Sequence, residues 1–181
     1  ALNPVMRVGQ QIANVIHAHR RGIGSQNCHA EVRDLLVQVG LADTSRIHGA
    51  YPHELSSGQR QRVAIALAIA LRPSLVIADE PTANLDANTQ GEILALLKSL
   101  KQHLRVSFLF FTHNPALLAG FADGVLVMYA GQIVEWGDVQ AVSTYPLHPY
   151  TCGLLRCVPQ ATVPMVKTPL PCIPGRPPDL A

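Results

Sequence analysis

Residues 55–80 read LSSGQRQRVAIALAIALRPSLVIADE, and their pattern changes twice along the stretch. An Ala-rich run at residues 63–70 favours a helix, and the serines before it are natural N-cap residues. Pro73 ends that helix, because the residue before a proline avoids helical geometry. Residues 75–78 then form a short, wholly apolar strand of the kind that is buried in a parallel sheet, and two acids follow it.

Similar elements flank this stretch on both sides. Periodic apolar residues predict helices at 8–38, with a Gly-rich break at 21–25, and an amphipathic helix at 87–104. Further strands are predicted at 106–111, and at 124–129 and 132–136 across an Ala130-Gly131 turn. The alternation of strands and helices predicts an α/β layer with a parallel sheet.

Length and composition set limits on the class of protein. The chain has 181 residues, of which 48% are apolar and 14% charged, which suits one ordinary domain with a short extension. Its net charge is +2 without a dense basic run, so nucleic acid is not expected as a partner. The longest apolar run, residues 63–71, is far shorter than the roughly twenty residues of a membrane-spanning helix. The first residues do not form a signal peptide, and a cytosolic location is expected.

The end of the chain differs from the rest. After Gly137 regular periodicity is lost, and prolines accumulate from 159 to 178, so we expect an extension on the core and not a second core. Four cysteines lack a CxxC pair, and free thiols are the favoured interpretation. Three of them lie in this end segment, which leaves a metal or iron–sulfur role open for Cys152, Cys157 and Cys172.

Asp79 and Glu80 stand at the carboxyl end of the apolar strand at 75–78. Ligands gather at that edge of α/β sheets. An Asp there can hold a nucleotide-bound magnesium ion, and a neighbouring Glu can orient or deprotonate an attacking water. Taken alone, the pair is only moderately specific, because two solvated acids at a strand end are common.

A second candidate site is the helix start at Ser56-Ser57-Gly58-Gln59. Free backbone N–H groups and the positive end of the helix dipole favour anions there, and Gly58 allows close approach of the main chain to a phosphate. For an isolated Ser-Ser-Gly, a simple N-cap is the better explanation. His113 ends the strand after the acid-bearing one, and it reaches a phosphate near Glu80 only if the two strands are neighbours.

The order and spacing of these groups resemble those of ABC transporter ATP-binding subunits. Leu55-Ser56-Ser57-Gly58-Gln59 resembles the signature motif, residues 75–80 resemble the Walker B strand with its catalytic glutamate, and Asn84-Leu85-Asp86 resembles the D-loop. His113 falls at the position of the switch histidine. Four ordered motifs within about sixty residues make a chance match very improbable.

Segments outside these motifs narrow the resemblance to dipeptide, oligopeptide and nickel importers. These segments are residues 2–9, Tyr51-Pro52-His53-Glu54, His148-Pro149-Tyr150-Thr151 and Ile173-Pro174-Gly175. The implied fold is α/β, a partial RecA-like P-loop NTPase core with a helical signature subdomain and a carboxy-terminal extension. We expect the helical subdomain at 1–57, the core part at 58–136 and the extension at 137–181.

The resemblance also implies a mechanism with ATP and Mg²⁺. Two ATP-binding subunits, identical or different, close around two nucleotides, and the signature residues Ser56, Ser57, Gly58 and Gln59 act in trans on the partner's nucleotide. Asp79 then helps to hold magnesium, Glu80 polarises water, His113 contacts the γ-phosphate and Asp86 connects the two sites. The implied partners are membrane-spanning permease subunits and, indirectly, a solute-binding protein, at the cytoplasmic face of the membrane.

The chain departs from the family pattern in three places. Ser57 replaces a glycine, and Asn114 replaces the acid that often follows the switch histidine. No Gly-Lys pair exists, because Lys98, Lys101 and Lys167 follow Leu or Val, so the P-loop GxxxxGK[ST] is missing. We therefore expect an incomplete piece of an ATPase that is inactive alone. Two alternatives remain, a non-hydrolysing ABC-like interaction module and a non-transport ABC ATPase.

Overall fold

The structure is a computed structural model that describes residues 2–20, 22–158, 171–173 and 175. The chain divides into two compact units, Ala1–Phe111 and Thr112–Ala181. In the described part of the chain, no helix is long and apolar enough to cross a membrane. The proline-rich stretch predicted at 159–178 lies outside the described residues, apart from 171–173 and 175.

The first unit consists of helices followed by a parallel strand pair. Its elements are α1 (Val8–His19), α2 (Ser25–Gln38), α3 (Thr44–Gly49), a 3₁₀ turn (Pro52–Glu54), α4 (Ser57–Ile69), β1 (Leu75–Asp79), α5 (Ala87–Leu104) and β2 (Ser107–Phe111). The broken helical region before residue 40 is confirmed, and α5 has the predicted bounds. The predicted strands differ from β1 and β2 by one residue each.

Helices α1 to α4 form a closed apolar core. The side chains of Val8, Ile12 and Ile16 follow helical spacing along α1 and are fully buried. Their neighbours from the other helices are equally buried, namely Val32, Leu36, Ile47 and Val63. Gly9 is required for this packing, because a Cβ atom there would overlap the ring of His48. Burial, with a smaller contribution from nearby His29, lowers the pKa of His48.

Strands β1 and β2 pair in parallel, which confirms the predicted parallel arrangement. Leu75 lies beside Ser107, and Asp79 beside Phe111. The burial expected for an all-apolar strand is not found, since the side chain of Ile77 is 64% exposed and Leu109 beside it is also exposed. The reason is the period of two along a strand: Ala78 points to the covered face and is buried, whereas its neighbours point to the other face of a two-stranded sheet.

The second unit is an antiparallel hairpin with short helices. Its elements are a 3₁₀ turn (Pro115–Leu118), β3 (Gly124–Tyr129), β4 (Gln132–Asp138), α6 (Val139–Thr144) and α7 (Pro149–Arg156). The predicted turn is confirmed, because Ala130 and Gly131 both have positive φ, as a two-residue hairpin turn requires. Helices α6 and α7 lie where no periodicity was found, and they are an addition to the predicted elements.

Helix α7 is attached to the hairpin through one carboxylate. The side chain of Glu135 on β4 accepts hydrogen bonds from the backbone N–H groups of Leu147, at 2.7 Å, and His148, at 3.1 Å. These donors, Leu147 first, lower the pKa of Glu135. The rings of Tyr129 on β3 and Tyr150 on α7 also pack together, with centroids 4.6 Å apart.

Candidate functional site

The first turn of α4 is closed by a reciprocal pair of hydrogen bonds. The hydroxyl oxygen of Ser56 accepts from the backbone N–H of Gln59 at 3.2 Å. The side-chain oxygen of Gln59 in turn accepts from the backbone N–H of Ser56, also at 3.2 Å. This is a capping box with glutamine as its third helical residue. The first turn is therefore capped by the chain's own side chains.

This capping arrangement leaves donors for an anion. The hydroxyl of Ser56 uses a lone pair in the capping bond, so its hydrogen remains able to donate. The N–H groups of Ser57 and Gly58 are at the start of the helix, where no intrahelical acceptor exists. Ser56 and Ser57 are both exposed, and the helix dipole adds positive potential at this end. Three of the four predicted signature residues, Ser56, Ser57 and Gly58, thus present donors of the kind that an anion requires.

Gly58 packs against the neighbouring helix. A Cβ atom added at Gly58 would lie 2.8 Å from Cγ2 of Thr89, in the first turn of α5. Such a distance is shorter than real Cβ contacts allow. The structure therefore gives a second reason for glycine at this position, besides the close approach to phosphate considered from the sequence.

The two acids lie at the carboxyl end of β1. Asp79 is the last residue of the strand and is exposed. Glu80 continues the pairing, since its N–H donates to the carbonyl of Phe111 at 3.1 Å. Its φ of 43° is in the left-handed region, which is uncommon for a residue with a side chain and typical of functional turns. The backbone thus turns sharply at the predicted catalytic residue.

The loop after Glu80 is held by both backbone and side-chain hydrogen bonds. The N–H of Ala83 donates to the carbonyl of Glu80 at 3.1 Å, which closes a turn. Thr82 is almost fully buried, and its carbonyl accepts from the side-chain amide of Gln90 at 3.1 Å. The loop that follows the acids is therefore connected to the first turns of α5.

Asp86, the predicted D-loop residue, is the N-cap of α5. Its two carboxylate oxygens accept from the backbone N–H of Thr89 at 3.0 Å and from the hydroxyl of Thr89 at 2.6 Å. The hydroxyl bond is the main reason that the pKa of Asp86 is lowered. The carboxylate is therefore ionised at neutral pH and fixed in orientation.

The remaining predicted groups are His113 and the cysteines. His113 is exposed and follows β2 by two residues, in the second unit. Cys152, Cys157 and Cys172 are free thiols, as is the buried Cys28. Within the described ranges, no three His, Cys, Asp or Glu residues are grouped closely enough to hold a metal ion.

A cavity of about 380 Å³ lies beside the signature turn. Its walls come from the loop after α2 and from α3, α4 and α5, and include Gln59. The charged groups around it are paired, Arg46 with Asp43 and Arg62 with Glu92 at 2.9 Å. The cavity therefore offers no excess charge to attract an ionic ligand.

Two family models match the chain, at its two ends. Residues 1–83, which include the signature turn and the acids, match the ABC transporter family. Residues 134–181 match the family described as the oligopeptide/dipeptide transporter C-terminal region. The chain belongs to the ABC transporter family. Both matches confirm the resemblance inferred from the motifs.

Curated ABC relatives are similar over most of the chain. The dipeptide transport ATP-binding protein DppD of Lactococcus lactis is 43% identical over 99% of the chain and 51% of its own length. The oligopeptide transport ATP-binding protein OppD of Bacillus subtilis is 44% identical over 99% of the chain and 50% of its own. The glutathione import ATP-binding protein GsiA of Salmonella choleraesuis is 46% identical over 88% of the chain and 26% of its own length. The chain spans about half the length of the dipeptide and oligopeptide relatives.

A solved structure confirms the fold class. A dimeric bacterial ABC transporter cassette superimposes with a TM-score of 0.66 at 27% identity, covering 76% of this chain and 59% of the cassette. The described elements are accordingly part of an ABC-type ATPase core with its helical region.

The residues that connect the candidate groups lie outside the motifs found in the sequence. Thr89 donates a hydrogen bond to the Asp86 carboxylate, and Gln90 donates one to the Thr82 carbonyl. Neither Thr89 nor Gln90 belongs to a recognised motif. The pattern D-x-x-T at a helix start is a capping signal, so the Asp86–Thr89 bond was detectable from sequence. The contact of Thr89 with Gly58 joins residues distant in the chain and leaves no local signal.

Proposed function

We propose that this chain supplies the signature motif and the catalytic acids of an ATP-binding and ATP-hydrolysing subunit, and that this subunit powers peptide uptake by an ABC importer. The observation that carries the proposal is the combination of two regions in one chain. The capped anion-binding turn and the acid-tipped strand lie in the ABC transporter region, and an oligopeptide/dipeptide transporter region follows.

In the proposed cycle, the signature turn binds a nucleotide held by a second ATP-binding subunit. Ser56 and the N–H groups of Ser57 and Gly58 donate hydrogen bonds to the γ-phosphate, while Gln59 keeps the turn closed. The dimeric state of the solved cassette supports a two-subunit arrangement, identical or mixed. Binding across the two subunits makes closure depend on nucleotide.

The acids at the end of β1 serve this chain's own nucleotide site. The exposed carboxylate of Asp79 is of the ligand type that Mg²⁺ accepts, so it fits a role in holding the ion. Mg²⁺ when bound neutralises phosphate charge. Glu80 orients the attacking water and accepts its proton, and His113 donates a hydrogen bond to the γ-phosphate. Asp86 connects the state of one site to the other.

The remaining partners follow from the importer proposal. Membrane-spanning permease subunits receive the motion, the helical region α1 to α3 contacts them, and a solute-binding protein delivers the cargo. This places the subunit at the cytoplasmic face of the membrane. Names of relatives that mention dipeptide, oligopeptide and glutathione transport support a peptide cargo, with nickel or another small solute second.

Replacement of the proposed catalytic glutamate tests the proposal. The complete gene product is reconstituted in liposomes with the membrane-spanning permease subunits with which it associates, and ATP hydrolysis and uptake of labelled peptides are measured. We expect Glu80→Gln to lower ATPase activity at least about 100-fold, because the amide cannot accept the proton. Glu92→Gln is the matched control, since it makes the same chemical change in a surface ion pair, and its activity should stay within about twofold.

Each contrary result favours one of the alternatives. Unchanged hydrolysis in the Glu80→Gln complex would mean that this chain is a non-hydrolysing module that completes a partner's site. Hydrolysis without any association with membrane subunits would instead favour a non-transport ABC ATPase. ATP-driven uptake of nickel but not of peptides would change the proposed cargo and leave the proposed ATPase mechanism as it is.

A further inference from the structure

We propose that Thr89 is a positioning residue that fixes the signature turn and the D-loop aspartate relative to each other, so that the two respond to nucleotide as one body. The proposal rests on the proposed function of these two motifs. It assigns to α5 a role that none of the recognised motifs contains.

The two ends of the Thr89 side chain touch different motifs. Its methyl carbon Cγ2 occupies the space beside Gly58, where an added Cβ would lie only 2.8 Å away. Its hydroxyl donates to Oδ2 of Asp86 at 2.6 Å. One half-buried side chain therefore spans from the first turn of α4 to the N-cap of α5.

The chemistry of threonine makes this connection stiff. The methyl and the hydroxyl are attached to the same Cβ atom, so a single rotation about χ1 moves both of them together. The backbone N–H of Thr89 also donates to Oδ1 of Asp86, at 3.0 Å, which fixes the carboxylate from a second direction. A displacement at Gly58 that turns Thr89 must therefore break or lengthen its bond to Asp86.

The Walker B side of the site is joined to the same turn. The next residue, Gln90, donates from its side chain to the carbonyl of Thr82, in the loop that follows Glu80. Thr82 is almost completely buried, so this carbonyl has little access to water. The first turn of α5 therefore connects three motifs, the signature through Thr89, the D-loop through Thr89 and the loop after Walker B through Gln90.

The titration of Asp86 provides a readout that does not depend on ATPase activity. The complete gene product is labelled with ¹³C at Asp carboxyl carbons, and the Asp86 resonance is followed against pH. In Gly58→Ala the new methyl displaces Thr89, so we expect the Asp86 titration to move to higher pH, although the substitution lies on another helix. In the double variant Gly58→Ala with Thr89→Ser, the missing methyl makes room and the hydroxyl remains, so the wild-type titration should return.

Gly91→Ala is the matched control for the glycine substitution. Gly91 also lies in a helix, and a Cβ added there meets no atom within 4 Å, so the Asp86 titration should not change. An unchanged Asp86 titration in a folded Gly58→Ala variant would overturn the proposal, as would a double variant in which Thr89→Ser restores nothing.

A second variant covers the case in which Gly58→Ala does not fold. Thr89→Val retains the branched shape beside Gly58 and removes only the hydroxyl. In the wild type the amide resonance of Gly58 should report the ionisation of Asp86, and in Thr89→Val this pH response should disappear. Persistence of the response would overturn the proposal. Absence of ATP hydrolysis by the wild-type transporter would contradict the proposed function alone, because neither titration depends on turnover.

Discussion

The helical bundle α1–α4 and the two strand pairs bury their apolar residues to very different extents. In the bundle, Ile12 and Leu36 are fully buried. In the strand pairs, Ile77 on β1 and Trp136 on β4 are 64% and 76% exposed. The strands are nevertheless the more apolar of the two in sequence, as the segments LVIAD of β1 and SFLFF of β2 show. The apolar content of a segment therefore does not determine its burial, which also depends on the neighbours that helices and strands require.

A helix satisfies its backbone hydrogen bonds internally, so four helices can complete a core among themselves. A strand needs neighbours for its backbone and a layer on each apolar face. On β3 and β4, Leu126 lies beside Trp136 and Met128 beside Ile133, and all four are exposed. Contiguous apolar surface of this kind is typical of an interaction site. We expect these faces to be covered in the proposed importer assembly.

The largest expected effect comes from a matched pair of isoleucine substitutions. Ile12→Ala should lower the free energy of unfolding by about 2–5 kcal/mol, because it leaves a cavity in the closed bundle. Ile77→Ala removes the same atoms from an exposed strand position and should cost under about 1 kcal/mol. Urea denaturation of the purified chain, followed by circular dichroism, measures both.

A large loss of unfolding free energy in Ile77→Ala would contradict the difference in burial between the two regions. It would show that the β1 face is covered in solution, for example by self-association. Repeating the measurement at several protein concentrations separates these cases, because stability that depends on association changes with concentration.

A smaller effect is expected at the signature turn, at the start of α4. Ser56→Ala removes the capping oxygen and should cost about 1 kcal/mol of unfolding free energy. Ser56→Asp retains a capping acceptor, so stability should be retained, but its charge repels phosphate and ATP hydrolysis by the reconstituted complex should fall. Ser57→Ala is the control, because this exposed hydroxyl caps nothing in the described structure.

Loss of stability and activity together in Ser56→Asp would contradict this separation. The hydroxyl would then be needed for the turn itself in a way that a carboxylate cannot replace. Retained activity in Ser56→Asp would argue against phosphate binding at this turn.

Local signals were sufficient to predict most of the elements. The Ala-rich run and Pro73 predicted α4, the periodic leucines predicted α5 with its observed bounds, and Ala130-Gly131 predicted the hairpin turn. These features depend on residues a few positions apart, where propensity and turn chemistry act. The same reasoning missed α7, because eight residues give too few turns for a period and His148 is an unusual cap.

Long-range features were beyond sequence reasoning. Exposure of Ile77 depends on which faces of the sheet are covered, and an apolar strand looks the same in either case. The candidate residues were identified from the order of their motifs along the chain. The contact of Thr89 with Gly58 could not be predicted in this way, because it depends on how α4 and α5 pack against each other. The roles of Asp79, Glu80 and His113 stay predictions until the Glu80 variant is measured.

The smallest expected effect is a pH dependence of the stability of the second unit. Glu135 connects β4 to the start of α7, and the N–H groups of Leu147 and His148 lower its pKa from the ordinary value of 4.5. A carboxylate with a lowered folded-state pKa contributes stability that is fully present above its unfolded pKa and is lost as pH falls through the folded value. The contribution should therefore be complete at neutral pH and decline below about pH 4.5.

Thermal unfolding of Glu135→Gln against the wild type measures this contribution. The amide keeps the shape of the side chain but loses the charge, so the wild type should be the more stable at pH 7, and the difference should shrink as pH is lowered below 4.5. A difference that stays constant with pH would mean that Glu135 acts through shape alone. A stability difference that shrinks at low pH would show that contacts within the chain stabilise this part of the second unit, in contrast to its exposed apolar face.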